Sequence, residues 1–165
     1  MHPQALAWIA AHATDEPVSV LDIGGRNVNG TPRPLFPNAT SWTVLDILPG
    51  DGVDIVADAA TWNPDGQRWD VLLAAEVLEH AAHWPAICLT AYRACAQGGR
   101  LIITTAAPGR PVHSGVDGGP VLHPGEHYAN VPAFELERVL LETGWRDVQV
   151  DSQPSPADTR AVATK

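Results

Sequence analysis

Lysine is almost missing from this chain of 165 residues, since its single copy is Lys165, the last residue. Three catalytic arrangements need an internal lysine: the phosphate-binding P-loop, the Schiff-base lysine and the Tyr-x-x-x-Lys pair of short-chain dehydrogenases. The lack of an internal lysine therefore excludes several common enzyme classes that are built on α/β sheets.

Basic charge, cysteine and long apolar runs are also scarce. The formal net charge of -9 opposes broad binding to nucleic-acid phosphates or to anionic membranes. Cys88 and Cys95 would lie roughly 10 Å apart on one helix, too far for a disulfide, so we expect two buried thiols. No apolar run approaches the ~20 residues of a membrane span and no signal peptide is visible, so we expect a cytoplasmic protein.

Strand-like and helix-like stretches alternate along the chain, which has the length and composition of one domain over residues 1–165. The alternation predicts an α/β fold with a doubly wound, mostly parallel six- to seven-stranded sheet and helices on both faces. A short last strand is expected over residues 160–163, at an edge of this sheet. The other predicted strands are 18–23, 41–45, 53–57, 70–75, 101–105 and 145–150, and the predicted helices are 3–13, 85–95 and 134–141.

The stretch VSVLDIGGRNVNG, residues 18–30, indicates where a ligand binds. An apolar strand interrupted by Asp22 runs directly into Gly24 and Gly25. Glycines at the carboxyl end of a parallel strand let a ligand approach the backbone, and ligands of open α/β sheets bind at that edge. The pattern is compatible with a nucleotide-like cofactor over this turn, or with an ordinary loop in which Asp22 is only a cap.

Acidic residues follow three successive predicted strands. Asp46 follows the second strand, Asp58 the third and Glu76 the fourth. A carboxylate after the second strand can accept both ribose hydroxyls, and one after the third can accept an adenine amine. Each acid alone is typical of a surface loop, but their joint placement around a Gly-Gly turn predicts an adenosine site.

These motifs together resemble those of the class I S-adenosylmethionine-dependent methyltransferases. The resemblance rests on VLDIGG, VLD, IVADA, DVLLAAEVLEH and GGRLIITT, and it covers about residues 18–150. It implies a Rossmann-like methyltransferase fold with S-adenosyl-L-methionine as cofactor. The implied cofactor-binding residues are Gly24 and Gly25 under the methionine part, Asp46 at the ribose, Asp58 and Ala59 at the adenine edge, Glu76 and Val77 beside the sulfonium, and also Asp22 and Ile47.

The stretch GGRNVNG departs from the family's D/E-x-G-x-G-x-G pattern, because Arg26 and Val28 stand where glycines are usual. It resembles a variant in methyltransferases of glycan and secondary-metabolite clusters, which favours a small-molecule or sugar-type acceptor. Methyltransferases that modify base amines carry Asp/Asn-Pro-Pro-aromatic after the fourth strand, where this chain has AEVL. The acceptor atom is therefore expected to be oxygen, carbon or a small-molecule nitrogen, with oxygen favoured.

Residues 106–132 are rich in proline, glycine and histidine without a period, which predicts a substrate-side loop or lid. In methyl transfer the cofactor already carries the activated methyl group, so the protein has to align the acceptor and remove a proton. Histidine titrates near neutral pH and suits that task. We expect the base in this loop, with His127 the first candidate and His123 the second.

Other interpretations stay open. Glu76-x-x-Glu79-His80 with a distant histidine resembles the metal-binding set of certain 2′-O-methylating small-RNA enzymes and quinone-precursor O-methyltransferases. A divalent metal at Glu76, Glu79, His80 and His127 would imply a metal-assisted O-methyltransferase acting on RNA or a phenolic acceptor.

Two further alternatives belong to other classes: a nucleotide-dependent oxidoreductase, although G-x-G-x-x-G is missing, and a catalytically silent domain that binds the cofactor or a partner protein. The expected partner is a small-molecule acceptor, with neither extended nucleic acid nor membrane. A second copy of the chain, in a homodimer, could complete the pocket.

Overall fold

The computed structural model describes residues 1–165, in which strands and helices alternate. The α-helices are α1 (Pro3–His12), α2 (Trp84–Ala94) and α3 (Ala133–Thr143). The strands are β1 (Ser19–Ile23), β2 (Ser41–Asp46), β3 (Ile55–Val56), β4 (Trp69–Ala75), β5 (Cys95–Ala106), β6 (Arg146–Gln153) and β7 (Asp158–Thr164). Short 3-10 helices occupy Arg33–Leu35 and Leu78–His80. None of the helices has the length and apolar character needed to cross a membrane.

All seven strands form one sheet in the order β3-β2-β1-β4-β5-β7-β6. Strands β1 to β5 pair in parallel, whereas β7 is antiparallel to both β5 and β6. The predicted α/β fold with a mostly parallel sheet is confirmed.

The position of the last strand differs from the prediction. Strand β7 lies between β5 and β6, and β6 is the strand at the edge. The burial of the two strands explains this order, because Thr159, Ala161 and Ala163 of β7 are completely buried while half of the residues of β6 are exposed. Small and β-branched side chains of this kind suit an interior strand that is covered on both faces.

Helices cover both faces of the sheet, as predicted. Neighbouring residues of one strand point to opposite faces. Accordingly Leu72 packs in a cluster with α2 and α3, and Leu73 packs in a second cluster with Ile9 of α1 and with Phe36. The first cluster is the larger one and contains 21 buried residues, so most of the core lies under α2 and α3.

The two cysteines are free and buried, as expected, but they do not share a helix. Cys88 lies in α2, whereas Cys95 is the first residue of β5, which begins directly where α2 ends. Burial raises the pKa of both thiols to about 12. Both are therefore thiols rather than thiolates near neutral pH, and unreactive.

Asp22 is the ionisable residue of β1, in the middle of the sheet. It lies in register with Val44 of β2 and Leu73 of β4, and it is only 1% exposed. Its Oδ2 atom has no hydrogen-bond partner. Burial, with a smaller contribution from the charge of Asp46, raises the pKa of Asp22 to about 7. The buried carboxyl therefore destabilises the fold when it loses its proton.

We expect Asp22→Asn to be more stable than the wild type above neutral pH. In the unfolded chain Asp22 ionises near its ordinary value of 3.8, but the folded protein holds the proton until about pH 7. Between these values the folded state binds more protons, so the wild-type free energy of unfolding falls as the pH rises. Asparagine cannot ionise, so the variant should avoid roughly 2–4 kcal/mol of this loss.

Urea denaturation of both proteins at pH 4.5 and pH 8 measures the difference. Asp51→Asn, in an exposed turn, is the matched control and should follow the wild type. If the free energy of unfolding falls equally between pH 4.5 and pH 8 in Asp22→Asn and in the wild type, Asp22 does not have the raised pKa.

Candidate functional site

A large cleft with a volume of about 1080 Å³ opens at the carboxyl ends of the parallel strands. Its walls come from the loops after β1, β2 and β4 and from residues 110–127. The strand order reverses between β1 and β4, and in doubly wound sheets a ligand binds at this switch point. The volume is at the upper end of the usual range for ligand pockets, so it can hold a cofactor together with a small acceptor.

Gly24 and Gly25 form the bend between β1 and the loop that follows it. Gly24 has a φ of +71°, and its N–H donates to the carbonyl of Leu45 at 2.7 Å. A Cβ atom at Gly24 would lie 2.4 Å from Val77, and one at Gly25 would lie 2.5 Å from the Asp22 carboxyl carbon. The glycines therefore let the end of β4 and the Asp22 side chain pack against the bend, which leaves its backbone lining the cleft.

Asp46 at the end of β2 is held by two backbone donors. The N–H of Arg26 donates to Oδ2 at 3.1 Å, and the N–H of Leu48 donates to Oδ1 at 2.9 Å. Each carboxylate oxygen keeps a further lone pair for another donor. The group is thus fixed in orientation and still able to accept hydrogen bonds from a ligand in the cleft.

Seven of the nine predicted cofactor residues line the cleft, and Asp58 and Ala59 do not. Asp58 Oδ1 accepts from the N–H of Ala60 at 2.9 Å, so its carboxylate begins a turn. The segment is nevertheless next to Asp46, because the N–H of Ala57 donates to the Asp46 carbonyl at 2.9 Å. The structure thus places Asp58 beside the ribose candidate and outside the cleft wall.

Glu76 begins the loop after β4 with a φ of +58°, a left-handed conformation that costs a residue other than glycine roughly 1–2 kcal/mol. Its Oε2 accepts from Arg110 Nη2 at 3.3 Å and lies 3.5 Å from His2 Nε2. Arg110 also donates to Asp158 at 2.6 Å. Burial acts to raise the pKa of Glu76, but the hydrogen bond from His2 and the charges of His2 and Arg110 hold it below its ordinary value. Glu76 is therefore a charged carboxylate, and its Oε1 is buried without a partner.

Residues 106–132 form a loop beside the cleft that has neither helix nor strand beyond Ala106. Its ends are fastened to the sheet, because the N–H of Val131 donates to Ala106 and the N–H of Ala107 donates to Ala157, both at 2.8 Å. Within the loop, Glu126 accepts from the Ser114 hydroxyl at 2.9 Å and from the N–H of Val116 at 3.1 Å. The predicted lid is thus a loop with its own internal hydrogen bonds.

Histidines are concentrated at this cleft. Of the two predicted bases, His123 has an acidic partner, since its Nε2 lies 2.9 Å from Asp117 Oδ2. The hydrogen bond to Asp117 raises the pKa of His123. His127 is exposed at the cleft and its ring has no hydrogen-bond partner. Five of the seven histidines in the chain line the cleft: His2, His80, His113, His123 and His127.

The four residues of the metal alternative do not converge on one point. Glu76 is grouped with His2 and Asp158, and His127 belongs to neither of the two groups whose ligand atoms approach one another. The group that does form contains Glu79, His80 and His113, with ligand atoms all within 4.8 Å of one another.

The members of this second group differ in how far their ligand atoms are already engaged in hydrogen bonds. Glu79 is completely buried, and it accepts hydrogen bonds from the Thr105 hydroxyl at 2.7 Å and from the N–H of Ala106 at 3.2 Å. Burial lowers the pKa of His80 to about 4, so its ring is neutral, and its Nδ1 has no partner. The two histidines offer free nitrogen atoms, whereas burial raises the pKa of Glu79 to about 8 and its carboxyl group already bonds to Thr105 and Ala106.

Sequence reasoning missed His2 and Arg110, which both line the cleft, and it placed His113 in the loop without ranking it as a base. His2 caps the start of α1, and its ring accepts from the N–H of Ala5 at 3.3 Å. Neither His2 nor Arg110 lies in a motif of fixed spacing, so no local signal could have found them. Arg26 did carry a signal, since it stands where the motif usually has glycine.

Comparisons with known proteins agree with this geometry. A family model described as a methyltransferase domain matches residues 2–150. No curated protein matches the sequence. Among solved structures, the Burkholderia thailandensis 1,6-didemethyltoxoflavin-N1-methyltransferase with bound S-adenosylhomocysteine gives a TM-score of 0.69 at 17% identity over 99% of this chain and 77% of that chain.

Two further structures are similar along the whole chain. The complex of DhpI with SAH gives a TM-score of 0.72 at 22% identity over 98% of this chain and 82% of that chain. An S-adenosylmethionine-dependent methyltransferase from Mesorhizobium loti gives a TM-score of 0.70 at 14% identity over 98% of this chain and 96% of that chain. At such identities these likenesses show the fold, while the family model covers most of the chain. The chain therefore belongs to the methyltransferase-domain family, and its fold is that of the class I S-adenosylmethionine-dependent methyltransferases.

Proposed function

We propose that this protein transfers the methyl group of S-adenosyl-L-methionine to an oxygen atom of a small-molecule or sugar-type acceptor. One observation carries the proposal: a single cleft is bordered by the Gly24-Gly25 bend and Asp46 on one side and by a histidine-bearing loop on the other. The first side suits a nucleoside cofactor, and the second suits removal of a proton from an acceptor.

The residues of the cleft fit a cofactor that carries an ammonium and a sulfonium group. Asp22 Oδ2 and Glu76 Oε1 are buried oxygens without donors, and such atoms are costly unless a ligand supplies a positive or hydrogen-donating group. Asp46 would accept from the ribose hydroxyls, and Ile47, which is 64% exposed, offers an apolar surface to the adenine. We retain Asp58 and Ala59 in the proposed adenine edge because their segment is tied to Asp46.

The proposed cofactor supplies the activated methyl group, and the work of this chain is to align the acceptor and take its proton. A hydroxyl acceptor needs a base near neutral pH, which favours the histidines of the loop. His127 is exposed at the cleft, while His123 is oriented by Asp117. The Burkholderia neighbour is named as an N1-methyltransferase, so the fold alone does not select oxygen, and the preference for oxygen rests on these histidines.

The acceptor is tested by a screen for release of S-adenosylhomocysteine. Phenols, hydroxylated small molecules and sugars form one panel, and primary and secondary amines of similar size form the other. The proposal expects turnover with the hydroxyl panel. Turnover with amines only would overturn the choice of oxygen while leaving the methyltransferase assignment intact.

A metal-assisted O-methyltransferase is the second candidate, favoured by the approach of Glu79, His80 and His113 to one another. Two imidazoles and a carboxylate can hold a divalent ion that draws an acceptor oxygen toward the methyl group. This group differs from the set that the resemblance implied, because it contains His113 and lacks Glu76 and His127.

Removal of metal separates the two candidates. We expect turnover of the purified enzyme to be unchanged after treatment with EDTA, because the proposed mechanism removes the proton with a histidine. The second candidate instead requires loss of activity and its return with a divalent ion. It also requires calorimetric binding of Co²⁺ that is lost in His113→Ala and kept in His83→Ala, an exposed histidine outside the cleft.

We expect Asp46→Ala to weaken binding of S-adenosylhomocysteine by at least ~1.5 kcal/mol, about tenfold or more in Kd, because charge-assisted hydrogen bonds to the ribose are lost. Isothermal titration calorimetry gives the Kd. Asp51→Ala is the control, since this acid is exposed and does not line the cleft. An unaltered Kd in Asp46→Ala would remove it from the ribose site.

We expect His127→Ala to lower kcat about 100-fold with little change in the Kd of the cofactor, because a general base acts on the acceptor and not on cofactor binding. His123→Ala is measured in parallel, and His83→Ala serves as the control. If only His123→Ala loses activity, the base is His123. Unchanged turnover in both variants would show that the loop histidines do not act as bases.

A further inference from the structure

Arg26 stands at a position where related motifs have glycine, and its side chain lies against the predicted ribose carboxylate. Its backbone N–H donates to Asp46 Oδ2 at 3.1 Å, and its Nε lies 3.9 Å from Asp46 Oδ1. The stem packs tightly beside Gly50, where an added Cβ would approach the Arg26 Cδ to 2.8 Å. One end of Arg26 is therefore seated firmly beside Asp46.

The other end of the side chain reaches the loop across the cleft. Arg26 Nη2 donates to the carbonyl of Gly115 at 3.2 Å and to the carbonyl of Val116 at 3.1 Å. Both carbonyls belong to the part of the loop that we call the tip, residues 112–127. These are the only hydrogen bonds between the tip and the chain outside residues 111–128.

The tip holds itself together. Its N–H groups and side chains bond to one another, with Glu126 accepting from Ser114 and Val116, and with Asp117 paired with His123. Ser114 is only 1% exposed, although it lies in a loop. A segment with many internal hydrogen bonds and few external ones moves as a unit when it moves.

The tip also carries His113, His123 and His127, three of the five histidines of the cleft. Their distance from a bound acceptor therefore depends on where the tip rests. The tip packs against His80 and Asn29, and its hydrogen bonds to the body come from the Arg26 guanidinium, whose planar group fixes their directions. The position of these histidines is thus set from the cofactor side of the cleft.

We propose that Arg26 is a positioning residue that holds the histidine-bearing tip over the cleft and couples its position to occupation of Asp46. Ribose hydroxyls that donate to Asp46 add to the two backbone N–H donors that already orient this carboxylate, so they hold the adjoining Arg26 backbone more firmly and favour the closed tip. The holding role stands on the hydrogen bonds alone, whereas the coupling rests on the proposed binding of ribose at Asp46.

Distances between spin labels test the holding role without any cofactor. Labels are attached at Val121→Cys on the tip, where Val121 is 72% exposed, and at Glu137→Cys on α3, where Glu137 is exposed. The native Cys88 and Cys95 are buried, with their pKa raised to about 12, and do not compete for the label. Pulsed electron resonance then reports the distribution of distances between tip and body.

We expect one narrow distribution in the otherwise unchanged protein and a distribution at least twice as broad in Arg26→Ala. Arg26→Gln keeps the stem beside Gly50 and should broaden similarly, which separates the lost hydrogen bonds from lost packing. Arg33→Ala, an exposed arginine outside the cleft, is the control and should leave the distribution narrow. Equal widths in Arg26→Ala, Arg26→Gln and the unchanged protein would overturn the proposal.

Saturating S-adenosylhomocysteine tests the coupling separately. The ligand should narrow the distribution of label distances in the unchanged protein and leave that of Arg26→Ala broad. A distribution that does not respond to bound ligand in the unchanged protein would overturn the coupling but not the holding role. Failure of the ligand to bind at all by calorimetry would instead overturn the proposed cofactor function on which the coupling rests.

Discussion

The close packing of the Gly24-Gly25 bend against Val77 and Asp22 is the contact on which the cleft depends. A side chain at Gly24 would collide with Val77 after β4 at 2.4 Å, and one at Gly25 would collide with Asp22 of β1 at 2.5 Å, so larger residues would displace the bend or its neighbours. The bend then continues into Arg26, whose N–H reaches Asp46 at the end of β2. One tight turn thus brings together the ends of three neighbouring strands.

The three acids of this region, which all lie near the carboxyl ends of parallel strands, differ in their hydrogen-bond and charge partners. Asp46 is oriented by two N–H groups, Glu76 is paired with Arg110 and His2, and Asp22 has no partner and a pKa raised to about 7 by burial. The unpartnered oxygens of Asp22 and Glu76 lie at the cleft, where a cationic ligand would reduce the cost of burying them.

The loop opposite this bend is built differently from the rest of the chain. It has few apolar anchors and relies on hydrogen bonds, with Glu126 organising its tip and Arg26 joining the tip to the body. The sheet side of the cleft is therefore closely packed at its backbone, and the histidine side is held largely by polar contacts.

The alternation of apolar strands and helices determined the fold from sequence alone, and acids placed after strands predicted residues of which Asp46 and Glu76 do line the cleft. Local patterns suffice there because a parallel sheet brings successive strand ends to one edge. Only the tertiary structure decided that β7 lies inside the sheet, that Asp58 caps its own turn, and that His113 joins His80 and Glu79 while Glu76 joins His2. These pairings depend on where a loop and the start of α1 come to rest, and such long-range contacts are set by packing and charge, which leave no period or spacing in the sequence.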